Sequence, residues 1–291
     1  MGRGKNINLF LMDGDANGRI KCTLDYWTGA VYKIPRTEIA KCSEIDYLKQ
    51  CGVYFLFGTD SDDNPAVYVG QARVRKNGEG ILLRIQETHN SIDYWTDAVI
   101  FTTTDNSFGP TEISYLENSF CNLALKANRY SVKNGNDPSP GNLTEEKVCG
   151  LEEFIDYAKI ILKALGYPVL TPLPTLSGNT LDDNCTTKLY FSNNNFSAIG
   201  MQVPEGFVVF KGSVINQSVA PSCSNRAKKL REEYKNKIDE NMTLKETLLF
   251  SSPSSASDFV SGYSTNGKTS WKTKDGKTLR DMEISEESML S

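Results

Sequence analysis

The run Gly52-Val53-Tyr54-Phe55-Leu56-Phe57 constrains this 291-residue chain more than any other stretch, because it is apolar throughout. Such a run reads as a buried strand. The polar loop 59–65 (TDSDDNP) follows, and Ala66-Val67-Tyr68-Val69 returns, so the pair is expected to form a hairpin. Ile81 to His89 carries apolar residues at 81, 82 and 85, which is helical spacing, and Trp95 to Thr102 reads as a third strand from its β-branched and aromatic content. Thr111 to Ala127 is the clearest helix: Ile113, Leu116, Phe120, Leu123, Ala124 and Ala127 fall on one stripe behind Pro110. A second long helix runs from Glu145 to Leu165, with acidic residues after Thr144 and Gly166 at its end.

Around this block the pattern is looser. Residues 7–34 look like short strands separated by Gly-marked turns, a small antiparallel unit, and Thr37 to Cys51 reads as a helix or a lead-in turn. Thr171 to Thr187 is rich in Pro, Ser, Thr and Asn without periodicity and reads as a linker. Beyond it, 188–192, 196–203 and 206–213 suggest a β-meander, the basic run 226–237 a helix, and Ser252-Pro253 the start of a short helix ending at Gly262. Asn266-Gly267 and Asp275-Gly276 are turn pairs, and the last ten residues read as a frayed tail. The expected class is α+β: a small three-stranded, mostly antiparallel sheet flanked by helices, an N-terminal β unit, and a separate C-terminal α+β domain. The expected boundaries are a β-rich lead-in at 1–50, a central domain with its trailing helix at 51–170, a linker at 171–187, a basic domain at 188–281 and a tail at 282–291.

Composition narrows the chemistry. Hydrophobic residues at 39% and aromatics at 10% supply cores and exclude wholesale disorder. One histidine, His89, excludes sites that need two, such as HExxH zinc proteases. The seven cysteines contain no CxxC pair and no secretory leader precedes them, so they are expected to be reduced, mostly buried thiols in a cytoplasmic protein. No apolar stretch reaches the length of a membrane helix. Any metal should then be a hard cation held by carboxylate and water. Net charge is −4, yet residues 205–281 hold 13 Lys/Arg against 9 Asp/Glu, whereas residues 51–130 hold 6 against 10. An acidic segment carrying chemistry and a basic one carrying grip is one reading; a solvated helix face is the other.

The hairpin frames two tyrosines with glycine, Gly52-Val53-Tyr54 and Tyr68-Val69-Gly70, and strand alternation can set both phenols on one face. Arg84 and His89 follow on the next helix. Glu117 falls at the edge of the apolar stripe of helix 111–127, and Glu112 lies equally far on the other side, so periodicity does not choose between them.

In this order, GVY, then YVG, then an Arg with a His shortly after, then a helical Tyr115-Leu116-Glu117, the segment from about Gly52 to Asn134 resembles the GIY-YIG nuclease superfamily. The C-terminal stretch (GFVVFKGS, FSSPSSASDFVSG, NGKTSWK) resembles the small domain of unknown function that often follows such nucleases. The resemblance implies metal-dependent hydrolysis of DNA phosphodiesters by an endonuclease, in a restriction or phage-defence setting. It implies Glu117 as ligand of one divalent ion, Mg2+ or Mn2+, Tyr54 as general base, and Tyr68 hydrogen-bonded in the same cluster. Arg84 would sit on the scissile phosphate, with Arg73 or Arg75 as alternatives, and His89 would bond to a tyrosine or the phosphate. An Asn completes the pattern, and Asn128 and Asn134 are both candidates. The expanded segment Arg73-Val74-Arg75-Lys76 would touch DNA, the expected partner beside a second copy of the chain in a homodimer. The other reading is a nuclease-like module that binds DNA without cutting it.

The residue types suit that chemistry. Phosphodiester hydrolysis needs charge neutralised on phosphate oxygens and an aligned water. Mg2+ is satisfied by few protein ligands, and the planar guanidinium binds phosphate with two parallel bonds. A phenol with a pKa near ~10 is a poor base unless a cation stabilises its anion.

Overall fold

A computed structural model describes residues 4–76, 78–87, 95–135, 139–176 and 187–290. The chain divides into two compact units, Met1–Pro172 and Leu173–Ser291, so the break falls at the start of the Pro- and Ser-rich stretch. Both are α+β. The first holds a seven-stranded mixed sheet and the second a four-stranded antiparallel sheet.

In the first unit the elements are β1 (Ile7–Leu11), β2 (Ile20–Leu24), β3 (Gly29–Pro35), two 3-10 turns (Arg36–Cys42 and Asp46–Lys49), β4 (Gly52–Thr59), β5 (Pro65–Ala72), α1 (Ile81–Gln86), β6 (Trp95–Thr103), α2 (Pro110–Ala127), β7 (Ser131–Val132) and α3 (Glu145–Ala164). The strand order is β1-β2-β3-β6-β4-β5-β7, with only β5 and β7 parallel. The hairpin β4–β5 forms as expected, with Tyr54 opposite Gly70 and Leu56 opposite Tyr68.

Two expectations need correction. The central strands β6, β4 and β5 do not make a three-stranded sheet of their own, and residues 7–34 are not a separate β unit. Strand β3 pairs with β6 from Gly29 opposite Thr103 to Pro35 opposite Asp97, welding the N-terminal strands to the rest. The reason is hydrogen-bond accounting: Ala98, Val99, Ile100 and Phe101 of β6 are fully buried, so the outer edge of that strand needs partners that water cannot supply.

Period-2 alternation explains why β4 is apolar along its length, since both of its faces are covered. Val53, Phe55 and Phe57 join Val67, Val69, Val99 and Phe101 under α2 and α3. Tyr54, Leu56 and Ile100 face the other way, against Leu48, Ile81, Leu82 and Ile85 of the 3-10 turn and α1. The N-terminal strands share the first core: the ring of Trp27 lies 4.8 Å from that of Phe154 on α3.

The second unit runs β8 (Leu189–Asn193), β9 (Phe196–Val203), β10 (Gly206–Val209), α4 (Asn225–Glu233), a 3-10 turn (Lys235–Lys237), β11 (Leu248–Phe250), α5 (Pro253–Ser261), α6 (Gly267–Ser270) and α7 (Leu279–Leu290), with strand order β11-β10-β9-β8. The meander is present. Strand β11 was not legible, because three residues are too few to show a period. Helix α5 starts where expected, the Ser252 hydroxyl accepting from the Ser255 N–H at 3.1 Å, and ends on left-handed Gly262. Asn266-Gly267 is not a hairpin turn; Asn266 caps α6 by accepting from the Lys268 N–H. Nor are residues 282–290 a frayed tail. They continue α7, which opens on a reciprocal cap: Thr278 N–H donates to Asp281 Oδ2 at 2.9 Å and Asp281 N–H to Thr278 Oγ1 at 3.2 Å. Among the described residues no helix is long and apolar enough to cross a membrane.

Candidate functional site

Four elements of the first unit deliver polar side chains to one place. Tyr54 comes from β4 and Tyr68 from β5, one register step apart on the same face, with ring centroids 6.2 Å apart. Helix α1 packs on that face through Ile81, Leu82 and Ile85 and so directs Arg84 at the phenols, within electrostatic range of both. Glu117 arrives from α2 and lies within electrostatic range of Tyr54, Tyr68 and Arg84.

The framing glycines belong to this arrangement. A Cβ on Gly70 would stand 2.5 Å from the Tyr54 hydroxyl, so only glycine lets that ring lie across β5. A Cβ on Gly52 would stand 2.6 Å from the Phe101 carbonyl oxygen and 2.8 Å from Ile81 Cδ1, keeping β4 close to β6 and α1.

Glu117 holds its place through Gln71, a residue with no signal in the sequence. The outer edge of β5 is capped in steps. Lys133 N–H donates to the Val67 carbonyl at 2.8 Å. The Asn134 amide then exchanges bonds with the backbone of Val69, accepting from its N–H at 3.1 Å and donating to its carbonyl at 2.7 Å. At the next outward position the Gln71 backbone N–H and its side-chain amide both donate to the Glu117 carboxylate, the latter at 2.9 Å, while Ser114 Oγ donates to Gln71 Oε1 at 3.2 Å. The carboxylate thus ends the sheet edge and faces the tyrosine–arginine cluster.

Electrostatics follow from burial. Burial pushes the Glu117 carboxyl up, against the Gln71 bonds and the charge of Arg84, which pull it down. Tyr54 is fully buried, and burial, with Tyr68 next, holds its phenol far above the usual range. Tyr68 is half-buried and raised for the same reason, with Glu117 adding to it. Arg84 is raised chiefly by its ion pair with Glu87 at 2.7 Å. Glu87 also receives Arg75 at 2.5 Å, and the two guanidinium groups lower its carboxyl pKa.

The structure decides between the two acids of α2. Glu112 accepts from the Gly109 N–H at 3.1 Å, capping the helix start, and pairs with Lys147 of α3. It is a structural carboxylate, and Glu117 is the one that enters the cluster. Of the two asparagines, Asn128 is the left-handed C-cap of α2 and Asn134 is the edge clasp beside Tyr68. Arg73, Arg75 and Lys76 lie on an exposed turn, closed by the Arg75 N–H donating to the Glu79 carbonyl at 2.7 Å, outside the cluster itself. His89 lies outside the described residues. Tyr115 points away from the site, its hydroxyl donating to Glu152 of α3.

Among the described residues no group of three or more His, Cys, Asp or Glu side chains is placed to hold a metal ion. A cage made wholly of protein ligands is therefore not what these residues build. A half-buried carboxylate with a raised pKa, beside solvent-reaching Tyr68, fits the other kind of site, a hard cation held by one carboxylate and its own waters.

In the second unit the basic run is not one solvated face. Arg231 turns inward and donates to the carbonyls of Asn216 (2.7 Å), Phe259 (2.8 Å) and Val260 (3.1 Å). Lys235 and Lys237 pair with Glu232 and Glu246. Arg226, Lys228 and Lys229 remain exposed on α4.

Comparison with known proteins separates the two units. Residues 189–283, most of the second unit, match the family described as a domain of unknown function, DUF4357. No family model of GIY-YIG nucleases matches the first unit. No curated protein and no solved structure matches the chain.

Proposed function

We propose that the first unit is a metal-dependent phosphodiesterase acting on DNA, an endonuclease of the GIY-YIG kind, in a cytoplasmic restriction or phage-defence setting. The observation that carries this reading is the convergence of two phenols, one guanidinium and one carboxylate from β4, β5, α1 and α2. The adjacency of β6, β4 and β5, with α1 on one face and α2 on the other, adds to it. So does the DUF4357 match, the kind of module that such nucleases often carry.

In this reading Glu117 would hold one Mg2+ or Mn2+, which when bound neutralises charge on a phosphate oxygen and acidifies a water. Arg84 binds the phosphate through its planar fork. The general-base role implied for Tyr54 does not suit a phenol with 0% exposure. Tyr68 is the phenol that reaches solvent, so it holds the water, while Tyr54 packs beside it and Glu87 holds Arg84 in place. Arg73, Arg75 and Lys76 extend the phosphate contacts along the backbone. In this reading the exposed Arg226, Lys228 and Lys229 of α4 would supply nonspecific grip on DNA.

Incubating supercoiled plasmid with the protein and Mg2+ or Mn2+ tests the reading. Nicking is expected, and nicking by Glu117→Ala at the wild-type rate would overturn the metal role. A second reading, DNA binding without cleavage, draws on one observation: burial raises both phenols, so neither is ionised at neutral pH. Saturable, salt-sensitive binding with no cleavage in any divalent ion would select it.

A further inference from the structure

Strand β1 is an edge strand, and it carries none of the features that keep such edges solitary. Ile7–Leu11 contains no charge, proline or bulge. Leu9, Phe10 and Leu11 are 47%, 60% and 39% exposed.

The hydrogen-bonding direction of this edge can be read from its inner side. Met12 N–H donates to the Arg19 carbonyl at 2.9 Å and Asp25 N–H to the Asn6 carbonyl at 3.3 Å, so the even-numbered residues of β1 bond to β2. Alternation then turns the backbone groups of Ile7 and Leu9 and the N–H of Leu11 outward, while the Leu11 carbonyl also accepts from the Gly14 N–H of the following turn at 3.1 Å. Three outward residues centred on Leu9 are self-complementary about a two-fold axis. An antiparallel partner with Leu9 opposite Leu9 sets Ile7 opposite Leu11 and Phe10 opposite Asn8.

Charge agrees with the same register. Two residues beyond each end of this pairing, Lys5 falls opposite Asp13. Lys5 is exposed, with its amine 4.2 Å above the Tyr157 ring of its own chain. The facing turn carries the carboxylates of Asp13 and Asp15 against the single guanidinium of Arg19. A one-step shift of the register would lose both the Leu9 pair and the Lys5–Asp13 opposition.

We propose that β1 pairs with β1 of a second copy of this chain, antiparallel and centred on Leu9, giving a two-fold homodimer with one continuous sheet across both first units. The proposal does not depend on the nuclease reading.

Sedimentation equilibrium of the full chain at roughly 1–100 µM tests it, because a weak edge-to-edge pair dissociates in that range. A monomer–dimer equilibrium is expected, with a dimer of twice 32.3 kDa. Leu9→Pro removes an outward N–H without touching a bond to β2 and is expected to give monomer with unchanged circular dichroism. Leu9→Lys places a charge at the two-fold and is expected to raise the dissociation constant about tenfold or more; it decides the matter should the proline variant unfold. Lys5→Glu is expected to weaken the dimer about two- to fivefold at low salt and not at 1 M salt. Monomer throughout the range overturns the proposal. So does a dimer unmoved by both Leu9 substitutions, or open-ended association beyond the dimer.

Discussion

Two part-buried arginines, Arg84 in the first unit and Arg231 in the second, have opposite kinds of partner. Arg84 lies near two phenols and the Glu117 carboxylate and pairs with Glu87, so its neighbours are side chains. Arg231 in the second gives its donors to three backbone carbonyls, two of them, Phe259 and Val260, in the last turn of α5, and burial with no carboxylate partner lowers its pKa. One guanidinium can exchange its partners for a ligand. The other is consumed in holding a helix end to a loop. The residue type is the same, Arg231 is the more deeply buried, and the partner atoms set the difference.

Exchange of partners is what substitution can expose. Glu117→Ala should cut plasmid nicking by about 10²–10³-fold or more, the usual effect of removing a preorganised charge from a reacting site, with circular dichroism unchanged. Arg84→Ala should lower nicking comparably and leave the thermal midpoint nearly fixed, whereas Arg231→Ala should destabilise the second unit by about 2–4 kcal/mol, since it orphans buried carbonyls. If the two arginine variants behave alike in both assays, the contrast between the units is broken. Gly70→Ala should cost about 1–3 kcal/mol in denaturant unfolding by driving a methyl into Tyr54.

A smaller effect carries a sign. The folded-state pKa of Glu117 is raised above the unfolded 4.5, so its contribution is favourable below that value and is lost as pH rises through the folded pKa. Glu117→Gln should therefore unfold at a slightly higher temperature than wild type at pH 7 without divalent ions, by one to a few degrees. The gap should close as pH falls to 4 or below, where both side chains are neutral. A wild type more stable than Glu117→Gln at pH 7 would contradict an under-compensated carboxylate. Smallest of all, Lys229→Ala should reduce the salt slope of DNA binding by about one without changing sequence preference.

Much of this was legible in residues 52–127 because the site is built on period. Alternation allowed Tyr54 and Tyr68 to share one face, whereas Arg84 was singled out by the family resemblance, with Arg73 and Arg75 as alternatives, and not by helical spacing. Where two positions shared a period, as with Glu112 and Glu117, the sequence left them equal, and only the cap at Gly109 and the Lys147 pair separated them. Gln71 was invisible because its role depends on an open sheet edge, which is a property of strand order and not of local pattern. The join of β3 to β6 was missed for the same reason: pairing between strands distant in the chain leaves no periodic trace in either one.

Glu87 has a consequence of its own. With one carboxylate shared between Arg75 and Arg84, each guanidinium gives one N–H to Glu87, and an arriving anion meets charge that is already partly neutralised. In the proposed reading a phosphate ester, whose several oxygens can reach both forks at once, would compete with Glu87 better than a single-oxygen anion, so Glu87 would act as a first filter on what the two arginines admit.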